Sequence, residues 1–147
     1  YQEQSGFQLL LNDSASIHVG GDRIALVGVE NWGKPPFAQY GDLEKAIGPV
    51  RDIPFKILLS HDPSHWDAEV LDRTDVALTL SGHTHGFQFG IEKGNLQWSP
   101  VQYRYPRWAG LYREGVQQLY VNRGLGCIGY MGRVGIHPEI TLLELST

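Results

Sequence analysis

The sequence predicts an α/β fold built on mixed β-sheet with a few short helices, and three observations carry that expectation. Two short apolar runs, residues 55–60 (FKILLS) and 75–81 (DVALTLS), flank one amphipathic stretch, the pattern of a strand–helix–strand unit. The segments outside this unit are punctuated by Gly, Asn-Asp and Pro into short, mostly strand-like pieces, with no internal repeat. No low-complexity tract or linker divides the chain, and no tract is long and apolar enough to span a bilayer, so residues 1–147 are expected to form a single domain.

In chain order, residues 7–13 (FQLLLND) and 14–33 read as three short strands, with Asn12-Asp13 at a first turn and Gly20-Gly21-Asp22 at a hairpin turn. Residues 41–48 (GDLEKAIG) supply a short helix that Asp42 caps and Gly48 stops. Pro35, Pro36, Pro49 and Pro54 keep the connections around it irregular. The run 55–60 is of the kind buried on both faces of a parallel sheet, and it ends at His61. Residues 62–74 then form a helix with Asp62 as its cap and Pro63 in its first turn. Trp66, Val70 and Leu71 give it one apolar side, which leaves His65 on the helix surface. If the strands on either side are parallel, their carboxyl ends share one edge of the sheet, where open α/β sheets bind ligands. Residues 96–112 are too rich in Pro and Gly for a helix. Residues 117–124 (QQLYVNRG) and 138–146 (PEITLLELS) read as two further strands.

A net charge of −4 gives no general electrostatic attraction for nucleic acid. Cys127 is the only cysteine, which excludes an intrachain disulfide and a CxxC zinc knuckle. The first residues lack a basic start followed by an apolar stretch, so they do not read as a signal peptide, and the compartment stays open.

The histidines carry the chemistry. His61 and His83 are far apart in sequence, yet each lies just past the carboxyl end of one of the two paired strands. His85 follows two residues after His83, and in an extended loop such positions project to the same side. Gly82 and Gly86 remove bulk where the backbone must turn tightly. Neutral imidazole is the commonest protein metal ligand, so this constellation points to metal binding. A zinc helix using His61 and His65 is excluded by Pro63 between them and by Asp62 where glutamate is required. Three imidazoles alone would suit one zinc ion with water in the fourth position. A two-metal hydrolase needs in addition a carboxylate bridging ions about 3.5–4 Å apart. Asp13, Asp22, Asp42, Asp52, Asp62, Asp67, Asp72 and Asp75 all read as turns, caps or helix surface.

ILLSHDP (residues 57–63) followed by LTLSGHTHG (residues 78–86) resembles the last two metal motifs of the calcineurin-like metallophosphoesterases. The similarity is closest to the bacterial branch of membrane-anchored or exported phosphohydrolases. GFQLLLND, RIALVGVE, YPRWAGLY, LYVNRGLG and PEITLLEL are similar to that branch in order and spacing. The resemblance covers nearly the whole chain but only the C-terminal half of a family domain. It implies the C-terminal half of a four-layer αββα sandwich and a metal-dependent phosphoester hydrolase. It also implies two divalent ions (Mn, Fe or Zn) that share an attacking hydroxide. Carried over by residue, His61 and His83 would bind the second metal and His85 the first. The family's DxH, GD and GNH motifs, which supply the bridging Asp, an Asn ligand and the general-acid His, have no counterpart. Gly94-Asn95 is followed by Leu96, and Gly20-Gly21-Asp22 lies on a hairpin turn. Phe87 stands where close relatives usually have a second glycine before Gln88, and it narrows the approach to the metals.

The resulting expectation is half of a binuclear site in a chain that is inactive alone. Two other readings stay open: a binding module that keeps the histidines as a structural metal site, and an enzyme completed by another chain. Arg104, Arg107 and Arg113 interleave with Tyr103, Tyr105, Trp108 and Tyr112, either as a substrate wall or as amphipathic cover on a sheet edge. Arg107, Arg123 and Phe87 are the candidate contacts to a phosphorylated small-molecule or lipid-like substrate, while Arg133 reads equally as a turn residue. Half of a layered domain bares apolar sheet faces, so self-association is expected.

Overall fold

The structure, a computed structural model, describes residues 3–94 and 96–145. Strands β1 (Asp13–Val19) and β2 (Asp22–Gly28) form the antiparallel hairpin that Gly20-Gly21 announces, with Gly20 at φ 62°. Helix α1 (Leu43–Ile47) begins where the Asp42 carboxylate accepts from the Lys45 backbone N–H at 2.9 Å, and it runs into a 3₁₀ turn at Gly48–Val50. There follow β3 (Phe55–Leu59), a π-helical turn Trp66–Val70, β4 (Leu78–Ser81) and a tight turn His85–Gln88. The ribbon β5 (Ile91–Lys93) and β6 (Leu96–Trp98), a 3₁₀ turn Pro100–Tyr103, and strands β7 (Gly110–Glu114) and β8 (Gln117–Val121) complete the elements. No helix among the described residues is long and apolar enough to cross a membrane.

The main sheet has the order β1-β2-β3-β4-β8-β7. β2, β3, β4 and β8 run parallel, and an antiparallel hairpin closes each edge. This is the mixed α/β architecture with few short helices that the sequence predicts.

Alternation along the strands separates two faces. Ala25, Val27, Leu58, Leu119 and Val121 pack beneath Leu43, Ala46, Ile47, Trp66 and Val70 to form the main core. The opposite face is also apolar. Register places Ile17, Ile24 and Phe55 in one row, Ala15, Leu26, Ile57 and Leu78 in the next, and Leu59, Leu80, Tyr120 and Leu111 in a third. Ile17, Phe55, Leu59 and Leu111 on this face are exposed.

Several expectations need correction. Residues 7–12 form no strand, because Leu10 crosses the sheet at Gly28, where a Cβ would lie 2.5 Å from that of Leu10. The buried Asn12 side chain then pins the entry to β1, donating to Glu30 Oε2 and the Tyr40 carbonyl and accepting from the Glu30 and Asp42 N–H groups. The helix over 62–74 is shorter: Leu71 N–H reaches the Trp66 carbonyl five residues back, and Asp72 leaves it at φ 58°. Residues 138–145 form no strand, since Glu139 and Thr141 are held by side-chain bonds to Tyr120, Arg123 and Asn122; Ser146 lies outside the described residues. The run 55–60 is not wholly apolar inside, for Lys56 is fully buried with its ammonium donating to the Ile53 and Arg51 carbonyls and to Asp75.

Candidate metal centre

His61 follows β3 and His83 follows β4. Parallel pairing continues past both strand ends, with Ser60 N–H donating to the Leu80 carbonyl and Gly82 N–H to that of His61. Both imidazoles therefore emerge at the same carboxyl edge. His83 Nδ1 lies 3.2 Å from His61 Nε2, and the rings meet edge to face at 5.1 Å. Two nitrogens bound at about 2.1 Å to one tetrahedral ion would stand about 3.4 Å apart, so the pair fits two neighbouring ligands of one cation. Partial burial, then the neighbouring His83, lower the His61 pKa against the opposing pull of Asp62, which favours the neutral ring that ligation requires.

His85 stands apart from this pair. Among the described residues no three His, Cys, Asp or Glu side chains converge as a metal cage. Its Nδ1 is buried without a hydrogen-bond partner, so the ring has a donor nitrogen uncommitted to the protein. The backbone around it is forced. His83 (φ 66°), His85 (φ 50°), Phe87 (φ 58°) and Gln88 (φ 57°) all adopt left-handed conformations that only glycine takes without cost, with Gly86 at φ 58° among them. The surroundings over-determine that turn. Thr84 Oγ1 donates to the Trp108 carbonyl at 2.8 Å, and the buried Gln88 side chain donates to the Tyr130 and Gly132 carbonyls while accepting from Ile128 N–H. At Gly86 a Cβ would meet Ile136 Cγ2 at 2.9 Å.

The other candidates lie elsewhere in the network. Arg107 pairs with Asp67 at 2.9 Å and Glu114 at 3.0 Å and stacks over Trp66. Arg123 is clamped between Glu92 and Glu139. Each guanidinium thus faces two internal carboxylates. Arg133 donates to the carbonyls of His85, Arg123, Gly124 and Gly126, which is more than a turn residue needs. Phe87 is 56% exposed on the outside of the strained turn.

Three groups escape the sequence reading. Tyr105 Oη lies 2.8 Å from His83 Nε2, though residue spacing offers no sign of it. Asp62 is fully buried, as a helix cap need not be; its Oδ1 accepts from the Ser64 N–H and hydroxyl, and its Oδ2 has no partner. His65 is not a surface residue. It is fully buried, stacked on Trp32, with Nε2 3.1 Å from Glu69 and Nδ1 2.8 Å from Ser60 Oγ. Since a carboxylate only accepts, Nε2 donates to Glu69 and Nδ1 accepts from Ser60 in the neutral ring. Burial lowers its pKa, partly offset by Glu69.

No family model and no solved structure matches the chain. It is 31% identical to Phosphodiesterase YaeI of Escherichia coli K12 over 97% of this chain and 49% of that protein. It is 39% identical to the uncharacterized metallophosphoesterase YkuE of Bacillus subtilis over 72% of this chain and 36% of that one. A zebrafish (Danio rerio) transmembrane protein with a metallophosphoesterase domain is 32% identical over 84% of this chain and 28% of its own length. The chain spans about half or less of the length of these relatives. From strand-end histidines to sequence relatives, the chain belongs to the calcineurin-like metallophosphoesterases and corresponds to the C-terminal part of its relatives.

Proposed function

We propose that this chain supplies half of a two-metal phosphoester hydrolase site, acting on a phosphomonoester or phosphodiester. The observation that carries the reading is the 3.2 Å approach of His61 Nε2 and His83 Nδ1 at the carboxyl edge of two parallel strands. His61 and His83 hold one ion, and His85, with its unpartnered nitrogen on a locked turn, serves the other. Divalent ions held there supply Lewis-acid neutralisation of phosphoryl oxygens and a deprotonated water as nucleophile. The protein's part is to hold the imidazoles in place, which the strand ends and the Gln88 clamp do. The bridging carboxylate and further ligands come from outside this sequence. The fold supports the same reading: the second, apolar face of the main sheet is suited to pack on another sheet, as in a four-layer sandwich. In its absence that face drives self-association.

Titration with Mn²⁺ alone, followed by electron paramagnetic resonance, tests the reading alongside hydrolysis of bis(p-nitrophenyl) phosphate. Weak Mn²⁺ binding that disappears in His83→Ala, with no turnover by the isolated chain, is expected. Turnover by the chain alone, or two tightly held ions per chain, overturns the half-site. Mn²⁺ binding indifferent to His83→Ala overturns the ligand assignment.

A further inference from the structure

We infer that Tyr105 is a positioning residue for His83: its phenol oxygen takes the His83 Nε2–H and thereby turns the Nδ1 lone pair toward His61. The inference rests on His61 and His83 being a ligand pair, and it assigns the device that sets their tautomers.

The phenol is held in place from below. Tyr105 N–H donates to the Val101 carbonyl at 2.8 Å, and the ring is 8% exposed within the small core of Val101, Trp108, Ala109 and Ile136. Its hydroxyl stands 2.8 Å from His83 Nε2, while the rings cross at 71°. Geometry alone leaves two options, since a phenol both donates and accepts. The ligand pair decides between them. A cation shared by His61 Nε2 and His83 Nδ1 needs the His83 lone pair on Nδ1, which places its proton on Nε2 and leaves the phenol oxygen to accept it. The buried Asp62 carboxylate, which only accepts, and Arg104, which only donates, act on the same phenol from either side. An imidazole that donates from Nε2 keeps its lone pair on Nδ1, the atom that faces His61. Without a cation, His61 fills the contact by donating its own Nε2–H; to hold a cation through Nε2, neutral His61 would carry its ring proton on Nδ1 instead. A second partner that fixes the tautomer of a ligating histidine is the usual support of a metal site.

The test needs no enzymatic activity. Long-range ¹H–¹⁵N spectra of the metal-free, ¹⁵N-labelled chain report the tautomer of each histidine, with His83 identified by its loss in His83→Gln. Wild type is expected to show His83 as the Nε2–H tautomer, with a cross-relaxation contact between that proton and the Tyr105 ring. In Tyr105→Phe, which keeps the ring in its packing, the tautomer ratio should fall about fivefold, the equivalent of one ordinary hydrogen bond. A wild-type Nδ1–H tautomer overturns the proposal even if Tyr105→Phe fails to fold. So does a folded Tyr105→Phe with an unchanged His83 spectrum. Adding Zn²⁺ alone separates the two layers: joint shifts of His61 and His83 support the ligand pair. Zn²⁺-insensitive rings with the expected tautomer would sink the ligand pair while leaving the Tyr105 bond standing.

Discussion

Replacing Phe87 by glycine should give a more stable protein than replacing it by alanine, the reverse of the usual order. Phe87 sits at φ 58° and ψ 4°, inside the turn that carries His85. Both substitutions remove the ring, so their difference isolates the backbone. A left-handed conformation costs an L residue about 1–2 kcal/mol, and glycine escapes that cost. Against this, glycine loses about 0.5–1 kcal/mol relative to alanine through its freer unfolded chain. The balance is roughly 0.5–1 kcal/mol in favour of glycine. With a urea dependence on the order of 2 kcal/mol per molar, the unfolding midpoint of Phe87→Gly should exceed that of Phe87→Ala by about 0.3–0.5 M. Equal midpoints, or a higher one for alanine at unchanged slope, would show that the turn is not strained and that its clamps do not hold His85 against a cost.

Further outcomes follow from single features. Gly86→Ala should destabilise by about 1–3 kcal/mol in thermal or urea unfolding, because the new Cβ meets Ile136 at 2.9 Å and the residue sits at φ 58°; wild-type stability would refute the close approach. His65 has a folded pKa below its ordinary value, chiefly through burial. The unfolded chain therefore takes up the proton first, and stability that is full above about pH 6.5 should fall as pH drops below it. His65→Gln should flatten that slope between pH 7 and 5, and an unchanged slope would refute it. Arg123→Met should cost on the order of 3 kcal/mol in urea unfolding, because Glu92 and Glu139 lose their shared cation; a cost below about 1 kcal/mol would make the clamp a surface ion pair. Sedimentation velocity should find the wild type self-associated and Ile17→Lys/Phe55→Lys dissociated, since both side chains lie in one row of the exposed sheet face; a wild-type monomer at high concentration would contradict this.

What the sequence revealed, and what it hid, divides by the range of the interactions involved. The β1–β2 hairpin, the Asp42-capped helix and strands β3, β4 and β8 follow from local turn chemistry and alternation, and those elements suffice to bring His61 beside His83. Residues 7–12 and 138–145 have strand-like composition, but distant side chains decide their path: Asn12 reaches Glu30, Tyr40 and Asp42, and Glu139 reaches Arg123 and Tyr120. No local pattern encodes such partners. His65 fails for the same reason, since its burial depends on Trp32 arriving from another loop. Lys56 places a charge in the buried run, and its partners, the Arg51 and Ile53 carbonyls just before β3 and the distant Asp75, are not marked by any local pattern. The strained turn at His85 was marked in sequence only by Gly82 and Gly86; the left-handed His85, Phe87 and Gln88 depend on bonds from the 128–134 loop.

The central claim is that His61 and His83 share one cation while His85 serves another. Calorimetric titration of the folded chain with Zn²⁺ alone, repeated on His61→Ala, His83→Ala and His85→Ala, tests it most directly. One weak site is predicted, abolished equally by His61→Ala and His83→Ala and retained in His85→Ala. A site lost in all three variants would mean that three imidazoles chelate a single ion, and a site indifferent to His61→Ala and His83→Ala would remove the pair from metal chemistry altogether.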